Sequence, residues 1–280
     1  MAKVIDVSVN LRGHTKLPFY RDGPFSEAGA RGRTPWTAKT LLPAMDAAGI
    51  DQVGLIASVA ALGVGGELDA IHADEVQEVV AQAPDRLFGW VGINPLETMD
   101  TLRYIDYAVG ELGFKGVHVY PHWFGVRVDD RKYWPIYAKC AELDVPIAIQ
   151  VGQQTPRNHA RLVAKPSWLD PVAFDFPELR ILGLHIGIPW TDEMITMCRA
   201  WEHIYIIADA HQPSFWTETL VAYLSGGGRR NVDGIKKVLW GTDWPIQDFI
   251  PCLEEVHGLE INKEALDNLL GHNAQAVLRL

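Results

Sequence analysis

Several features that define other protein classes are scarce in this 280-residue chain. It has only three cysteines, in no spacing typical of a metal site, so we expect reduced thiols at Cys140, Cys198 and Cys252. No apolar run approaches the ~20 residues that a membrane-spanning helix needs. Acidic residues outnumber basic ones, 35 to 25, and the net charge of −10 argues against nucleic acid and anionic membrane as partners.

Targeting signals and common catalytic motifs are also lacking. Residues 1–6 lead directly into a strand-like run without the layout of a signal peptide, which predicts a cytoplasmic location. The segment after that strand, residues 8–13, reads SVNLRG and is no glycine-rich phosphate loop. No Gly-x-Ser-x-Gly pattern marks a nucleophilic serine. These absences disfavour an open nucleotide-binding sheet and a serine hydrolase.

Short β-branched runs alternate with helical patterns along the chain, which predicts βα units and a parallel sheet. The predicted strands begin near Val4, Gln52, Leu87, Phe114, Val145, Leu179, Ile204 and Ile235. Helices are predicted from Thr34 and Pro35 onward, over residues 68–83, 99–112 and 133–143, and after an Asn262 cap. The pattern predicts a (β/α)8 TIM barrel of class α/β, with residues 1–280 as one domain and residues 11–33 as an extended first loop.

Four segments carry a resemblance to a known family. They read FPELRILGLHIG (residues 176–187), LWGTDWP (239–245), GFKGV (113–117) and LGHNA (270–274). The chain resembles the amidohydrolase superfamily, in particular its amidohydrolase-related branch of decarboxylases, hydratases and lactonases. The resemblance implies a barrel whose sixth strand ends in His185 and whose eighth strand ends in a catalytic aspartate, Asp243.

The metal ligands of that family are largely replaced. Such enzymes usually begin with Asp-x-His-x-His on the first strand, where this chain has Ser8 and Asn10 in place of the histidines, and Gln150 replaces a histidine on the fifth strand. Hydroxyl and carboxamide oxygens are poor zinc ligands. We therefore expect no metal and no cofactor. The alternative is one divalent ion, zinc or manganese, with His118, His122 or His185 recruited as a ligand.

Without a metal, Asp243 is expected to act as general base toward water and His185 to polarise or protonate the substrate. Other polar and aromatic residues follow strands at the same predicted face and are expected to bind substrate or to satisfy one another. They are Ser8, Asn10, Gln150, His118, Tyr120, His122, Trp123, Arg157, Trp190, His211 and Trp244. The tryptophans, with Trp216 as a further candidate, favour a planar or cyclic substrate. Asp209 shares a side of its strand with His211, and His14 is assigned to the structural or surface histidines.

These residues predict an enzyme acting on a small molecule. The first hypothesis is a metal-independent hydrolase that opens a lactone or similar acyl bond in a cyclic or carboxylated substrate. The second is a non-oxidative decarboxylase of an aromatic acid, and the third is a barrel that has lost catalysis and serves as a binding protein. The resemblance leaves a homo-oligomer open.

Overall fold

The computed structural model describes residues 2–14, 16–17, 20, 26–62, 66–152, 162–226 and 234–280. The strands are β1 (Ile5–Asn10), β2 (Gln52–Ala57), β3 (Val59–Ala61), β4 (Leu68–Ala70), β5 (Leu87–Gly92), β6 (Gly116–Val119), β7 (Ile147–Gln150), β8 (Ile181–Leu184), β9 (Ile204–Ala208) and β10 (Val238–Trp240). The α-helices are α1 (Ser26–Arg31), α2 (Ala38–Ala48), α3 (Ala73–Val80), α4 (Thr98–Ile105), α5 (Pro121–Phe124), α6 (Trp134–Glu142), α7 (Leu169–Asp175), α8 (Thr191–Ala200), α9 (Glu218–Leu224), α10 (Phe249–His257), α11 (Lys263–Asp267) and α12 (Asn273–Leu278). Asp106–Glu111 and Asn268–His272 are π-helical, and short 3₁₀ segments lie at Pro166–Trp168, His185–Gly187, Pro213–Phe215 and Gly234–Lys236.

Eight strands form one parallel sheet in the order β1-β2-β5-β6-β7-β8-β9-β10. The two edges of this sheet meet, because Val9 bridges to Trp244 in parallel and the Asn10 amide donates to the Trp244 carbonyl at 2.9 Å. The strands are apolar and buried along most of their length, as expected where helices cover the outer face of a parallel sheet. The predicted (β/α)8 barrel is confirmed, whereas its assignment to residues 1–280 as one domain stays a prediction.

Trp90 on β5 fills part of the barrel interior. Its side chain is fully buried, and Nε1 donates to the Val7 carbonyl on β1 at 2.9 Å, so the indole satisfies its one polar group. A Cβ at Gly116 on β6 would lie 2.4 Å from this ring. Packing therefore requires glycine at that position, which is the second glycine of the segment GFKGV.

Most predicted elements are confirmed, with two corrections. Residues 68–70 belong to β4, which pairs antiparallel with β3 as a hairpin, so the helix predicted over 68–83 begins only at Ala73. The first long helix begins at Ala38 because Thr37, not Thr34, is its cap and accepts from the Thr40 amide. The Asn262 cap is confirmed, since its Oδ1 accepts from the Ala265 amide. Predicted strands three to eight correspond to β5–β10.

The remaining expectations about the chain concern its cysteines and membranes. All three cysteines are buried, unpaired with one another, and lie in helices, at Cys140 in α6, Cys198 in α8 and Cys252 in α10. Across the described residues, no helix combines the length and the apolar character needed to cross a bilayer.

Candidate active site

Three side chains converge at the carboxyl ends of neighbouring barrel strands. His185 follows β8, Asp209 follows β9, and Asp243 lies just beyond β10. Nε2 of His185 lies 3.5 Å from Oδ2 of Asp243 and 3.8 Å from Oδ2 of Asp209. One ligand atom from each side chain lies within 4.8 Å of the others. We call these three residues the His-Asp-Asp cluster. It lies at the barrel face where active sites form.

The backbone at the cluster adopts a conformation that residues with a Cβ seldom take. The φ angle is 61° at His185 and 52° at Asp243, both in the left-handed region. The His185 amide donates to Oδ1 of Asp209 at 2.7 Å. Thr242 donates from its amide and its hydroxyl to the buried Asp6 at 3.0 and 2.7 Å, which fixes the chain beside the cluster. Such strain persists where the surroundings impose it and is frequent at functional sites.

Two carboxamides contact the cluster directly. At the end of β7, Nε2 of Gln150 lies 2.6 Å from Nδ1 of His185. At the end of β1, Asn10 donates from Nδ2 to Oδ1 of Asp243 at 3.0 Å and to the Trp244 carbonyl at 2.9 Å. Ser8, two residues earlier, is buried in the same strand. The residues that replace the family's histidines thus lie at the site, and their predicted role in binding substrate stays a prediction.

Burial controls the charge of the cluster. It lowers the pKa of His185 to about 3, so this ring is neutral at physiological pH and has a lone pair available for a cation. Burial also raises the pKa of Asp209, and it raises the pKa of Asp243 well above its usual value, where the neighbouring Asp209 charge adds to the effect. Two buried carboxylates at this separation repel each other unless a proton or a cation lies between them.

A second group of side chains lines the barrel mouth after β6. The ring of Tyr120 lies 4.5 Å from that of His118, 5.9 Å from that of His122 and 6.3 Å from that of His185, measured between centroids. Burial raises the pKa of Tyr120 well above 10 and lowers that of His118 to about 3. Tyr120 therefore keeps its hydroxyl proton and His118 is neutral. Among the described residues, neither ring nitrogen of His118 has a hydrogen-bond partner.

Two further predicted substrate-binding residues, His211 and Trp123, lie near this group of side chains. The ring of His211 lies 6.4 Å from that of His185, and that of Trp123 lies 4.4 Å from that of His122. Arg157 lies outside the described residues. All of these roles stay predictions.

The remaining tryptophans are engaged in packing contacts. Trp244 is buried with its ring 4.7 Å from that of Trp36, and Trp216 donates from Nε1 to the His211 carbonyl at 2.9 Å. Trp190 is half-buried beneath Nζ of Lys165, which lies 5.7 Å from the ring centroid. These contacts explain how each ring is held in place. The predicted binding of substrate by Trp190 and Trp244 stays a prediction.

Sequence reasoning missed two contributors. Asp209 was placed on the same side of its strand as His211, but only His211 was assigned to the site, although Asp-x-His directly after a barrel strand is a usable signal. His14 was assigned to the structural or surface histidines. It is buried, and its Nε2 lies 2.9 Å from Oγ of Ser58, which in turn donates to Oδ1 of Asn10 at 2.9 Å.

Most of the chain, from the segment after β1 to residue 280, matches a known family. A family model described as an amidohydrolase matches residues 13–280. The chain belongs to this amidohydrolase family. The resemblance seen in the sequence is thereby confirmed, and so is the prediction of an enzyme.

Several individual relatives of this chain are decarboxylases by name. The 2-amino-3-carboxymuconate-6-semialdehyde decarboxylase of Dictyostelium discoideum is 24% identical over 242 residues, which cover 74% of this chain and 65% of that relative. Two solved structures share the fold. A 2,6-dihydroxybenzoate decarboxylase in complex with 2,6-dihydroxybenzoate has a TM-score of 0.76 at 17% identity and 100% coverage of both chains. A dihydroxybenzoic acid decarboxylase of Polaromonas sp. JS666 with bound manganese and 2-nitroresorcinol has a TM-score of 0.73 at 18% identity, covering 100% of this chain and 98% of that one.

Two expectations from the sequence are wrong. The lactone hydrolase is contradicted because the named relatives are decarboxylases. The absence of a metal cofactor is contradicted by manganese in a related structure and by the His-Asp-Asp cluster itself. The replaced positions, Ser8, Asn10 and Gln150, indicate a lost metal site only if Asp209 is left out of the ligand set. Of the three histidines expected as alternative ligands, His185 belongs to the cluster, whereas His118 and His122 do not.

The donor set of the cluster fits a divalent cation. Nε2 of His185 and Oδ2 of Asp209 are buried and make no hydrogen bond to any described residue. Buried polar atoms are almost always paired, so these two atoms suit a cation bound between them. A neutral imidazole and two carboxylates are ligands of zinc and manganese, and a cation would offset the repulsion between Asp209 and Asp243.

Proposed function

We propose that this member of the amidohydrolase family is a non-oxidative decarboxylase of a small aromatic acid, assisted by one divalent cation. The observation that carries the proposal is the convergence of His185, Asp209 and Asp243 within 4.8 Å at the carboxyl ends of β8, β9 and β10. The names of the relatives favour decarboxylation over hydrolysis. Because the match spans only 65% of the Dictyostelium relative, its substrate is not carried over.

The cation would be held by the three cluster residues. When bound, such an ion supplies Lewis-acid polarisation of an acidic oxygen of the substrate. His185 binds in its neutral form, consistent with a pKa of about 3. Gln150 contacts Nδ1 of His185, the ring nitrogen other than Nε2. Asn10 contacts Oδ1 of Asp243, whereas Oδ2 lies 3.5 Å from Nε2 of His185. These two carboxamides orient the ligands.

The reaction requires a site that binds an acid and returns one proton to carbon. The bond between the ring and its carboxylate breaks, the electron pair stays on the ring carbon, that carbon takes a proton, and carbon dioxide leaves. Tyr120 holds its proton at Oη, so it donates to an anionic oxygen of the substrate without adding charge. His118 is a second neutral donor beside it. Both suit a carboxylate or phenolate.

The proposed substrate is planar because aromatic rings surround the mouth. Tyr120 and Trp123 are buried on the segment after β6, and Trp244 is buried beyond β10. Stacked or edge-on contacts with a flat ring are favourable at such surfaces. The arrangement of the protein as a homo-oligomer stays a prediction.

The proposal is tested with manganese-loaded full-length protein and a panel of hydroxylated benzoates and carboxyvanillates in deuterated water. We expect release of carbon dioxide and one deuterium at the carbon that loses the carboxylate. Asp209→Asn should lose this activity, whereas Asp175→Asn, the same change at an exposed residue of α7, should retain it. Absence of carbon dioxide from every acid in the panel, with manganese bound, would contradict the proposed function.

A further inference from the structure

A line of buried polar side chains runs from the β3–β4 hairpin to the His-Asp-Asp cluster. It begins at Asp69 on β4, passes through His14 and Ser58, and ends at Asn10, which contacts Asp243. All of these side chains are at least nine-tenths buried. Nδ1 of His14 lies 3.6 Å from Oδ2 of Asp69, and each later contact is a hydrogen bond of 2.9 to 3.0 Å.

The hydrogen bonds in this line all run in the same direction, with each donor on the side of His14 and each acceptor on the side of Asp243. Asn10 donates from Nδ2 to both Asp243 and the Trp244 carbonyl, so its Oδ1 faces the other way and accepts from Oγ of Ser58. The Ser58 hydroxyl has one hydrogen, which points to Asn10, so its oxygen accepts from Nε2 of His14. Every donor from His14 onward therefore points toward Asp243. A reversed Asn10 amide would lose both donations of Nδ2, to Asp243 and to the Trp244 carbonyl.

The far end of the line is anchored on the hairpin. Arg12 donates to Oδ1 of Asp69 at 3.2 Å from both of its terminal nitrogens and to the Ala70 carbonyl at 3.0 Å. The Lys16 amide donates to the other oxygen of Asp69 at 3.4 Å. Asp69 is thereby held from both sides, so its contact with His14 is fixed by the packing of β4 against the loop after β1.

The direction of the line determines which oxygen of Asp243 remains for a cation. Asn10 occupies Oδ1, and Oδ2 faces Nε2 of His185 at 3.5 Å. We infer that His14 and Ser58 are positioning residues, which fix the Asn10 amide so that Asp243 presents Oδ2 to a divalent cation. Asn10 stands where the family usually has a metal-binding histidine and orients a ligand instead. The inference rests on the proposed cation site and assigns a role to residues outside it.

The experiment measures the affinity of full-length protein for Mn²⁺ alone, by titration calorimetry, in four variants. Ser58→Ala and His14→Leu should each weaken binding about tenfold or more, the effect typical of losing an outer-shell partner. His14→Gln keeps an N–H donor near the position of Nε2 and should restore the affinity to within about threefold of wild type. Ser225→Ala, which removes a hydroxyl at the end of α9, is the matched control and should bind as wild type.

A purely structural role predicts a different pattern. In that case Ser58→Ala and His14→Leu lower the thermal stability of the metal-free protein but bind Mn²⁺ like wild type once folded, which would overturn the inference. Failure of a folded His14→Gln to restore the affinity would overturn the role of the His14 donor. If His14→Leu does not fold, Ser58→Ala, which removes one oxygen, decides alone. Wild-type protein that binds Mn²⁺ as described but releases no carbon dioxide from aromatic acids refutes the proposed function and leaves this inference standing, whereas failure to bind Mn²⁺ refutes both.

Discussion

The carboxamide of Gln150 and the imidazole of His185 are in direct contact, with Nε2 of the amide 2.6 Å from Nδ1 of the ring. A side-chain amide presents oxygen or nitrogen at the same place after a half turn, so it can serve either tautomer of a histidine. When Gln150 presents its oxygen, Nδ1 carries the hydrogen and Nε2 is available to a cation. Gln150, which replaces a ligand of the family, can thereby support the tautomer of His185 that a cation requires.

This relationship predicts the effect of changing Gln150. Gln150→Ala should weaken Mn²⁺ binding about tenfold, because the ring of His185 loses the partner that fixes its orientation. Gln150→Glu keeps an acceptor at the same place and should stay within about threefold of wild type. Titration calorimetry measures both, with the exposed Gln82→Ala as control. Equal affinity of Gln150→Ala and wild type would rule out this role.

Removal of the Tyr120 hydroxyl should affect substrate more than metal. Tyr120 keeps its proton because burial raises its pKa well above 10, and a hydrogen bond to a charged group contributes on the order of 1.5–3 kcal/mol. We expect Tyr120→Phe to lower kcat/KM by about 10-fold or more while Mn²⁺ affinity stays unchanged. Steady-state kinetics on an accepted acid checks this. Tyr107→Phe, at an exposed hydroxyl that donates to Asp74, should have wild-type kinetics, and equal kinetics for Tyr120→Phe would remove it from the site.

Acid should weaken the anchor of the hairpin. Burial alone would raise the pKa of Asp69, but the adjacent His14, with Arg12, outweighs this effect and lowers the pKa to about 2. A carboxyl whose pKa is depressed by folding stabilises the protein above its unfolded pKa of about 3.9, and the contribution is lost as the pH falls toward 2.

The variant Asp69→Asn removes this stabilising carboxylate. Chemical denaturation near pH 6 should show a free energy of unfolding lower by on the order of 1–2 kcal/mol, after allowance for solvent screening, and the difference from wild type should shrink below about pH 4. Asp100→Asn, which removes a surface pair with Arg103, should change stability by less than about 0.5 kcal/mol. A deficit for Asp69→Asn that is the same at pH 6 and pH 3 would contradict the assigned pKa.

Cation binding should stabilise the folded protein. At a free Mn²⁺ concentration 100 times the Kd, linkage contributes about 2.7 kcal/mol, which thermal unfolding detects as a rise in Tm. Asp243→Asn should abolish the rise and still fold, because Oδ1 can keep its hydrogen bond from Asn10 while the buried charge is removed. An equal rise in Tm for this variant would place the cation elsewhere.

The sequence carried enough information for the barrel and for two of the three cluster residues. Strand-forming runs, the Asn262 cap and the segments that place His185 and Asp243 after their strands are local patterns, and the structure agrees with them. The catalytic roles of the two residues stay predictions. Asp209 was not assigned because its role depends on β9 lying between β8 and β10, which brings its carboxylate against both neighbours. Since the usual ligands on the first and fifth strands are replaced, local motifs indicated a site without metal.

The hairpin and the line through His14 depend on contacts that no local pattern shows. Leu68–Ala70 forms a strand only because Val59–Ala61 pairs with it, and the run from residue 68 onward otherwise has helical spacing. His14 and Asn10 lie close in sequence, but Ser58 and Asp69 come from distant segments. The sequence alone therefore predicts that Asn10 faces the mouth of the barrel. It does not predict the hydrogen bond from Ser58 that orients the Asn10 amide.

The cation site itself is tested most directly by crystals of the full-length protein grown with Mn²⁺, with anomalous diffraction recorded on both sides of the manganese absorption edge. We expect one anomalous peak per chain, bonded to His185, Asp209 and Asp243. A peak bonded to other residues, or no peak at this cluster under saturating Mn²⁺, would contradict the account.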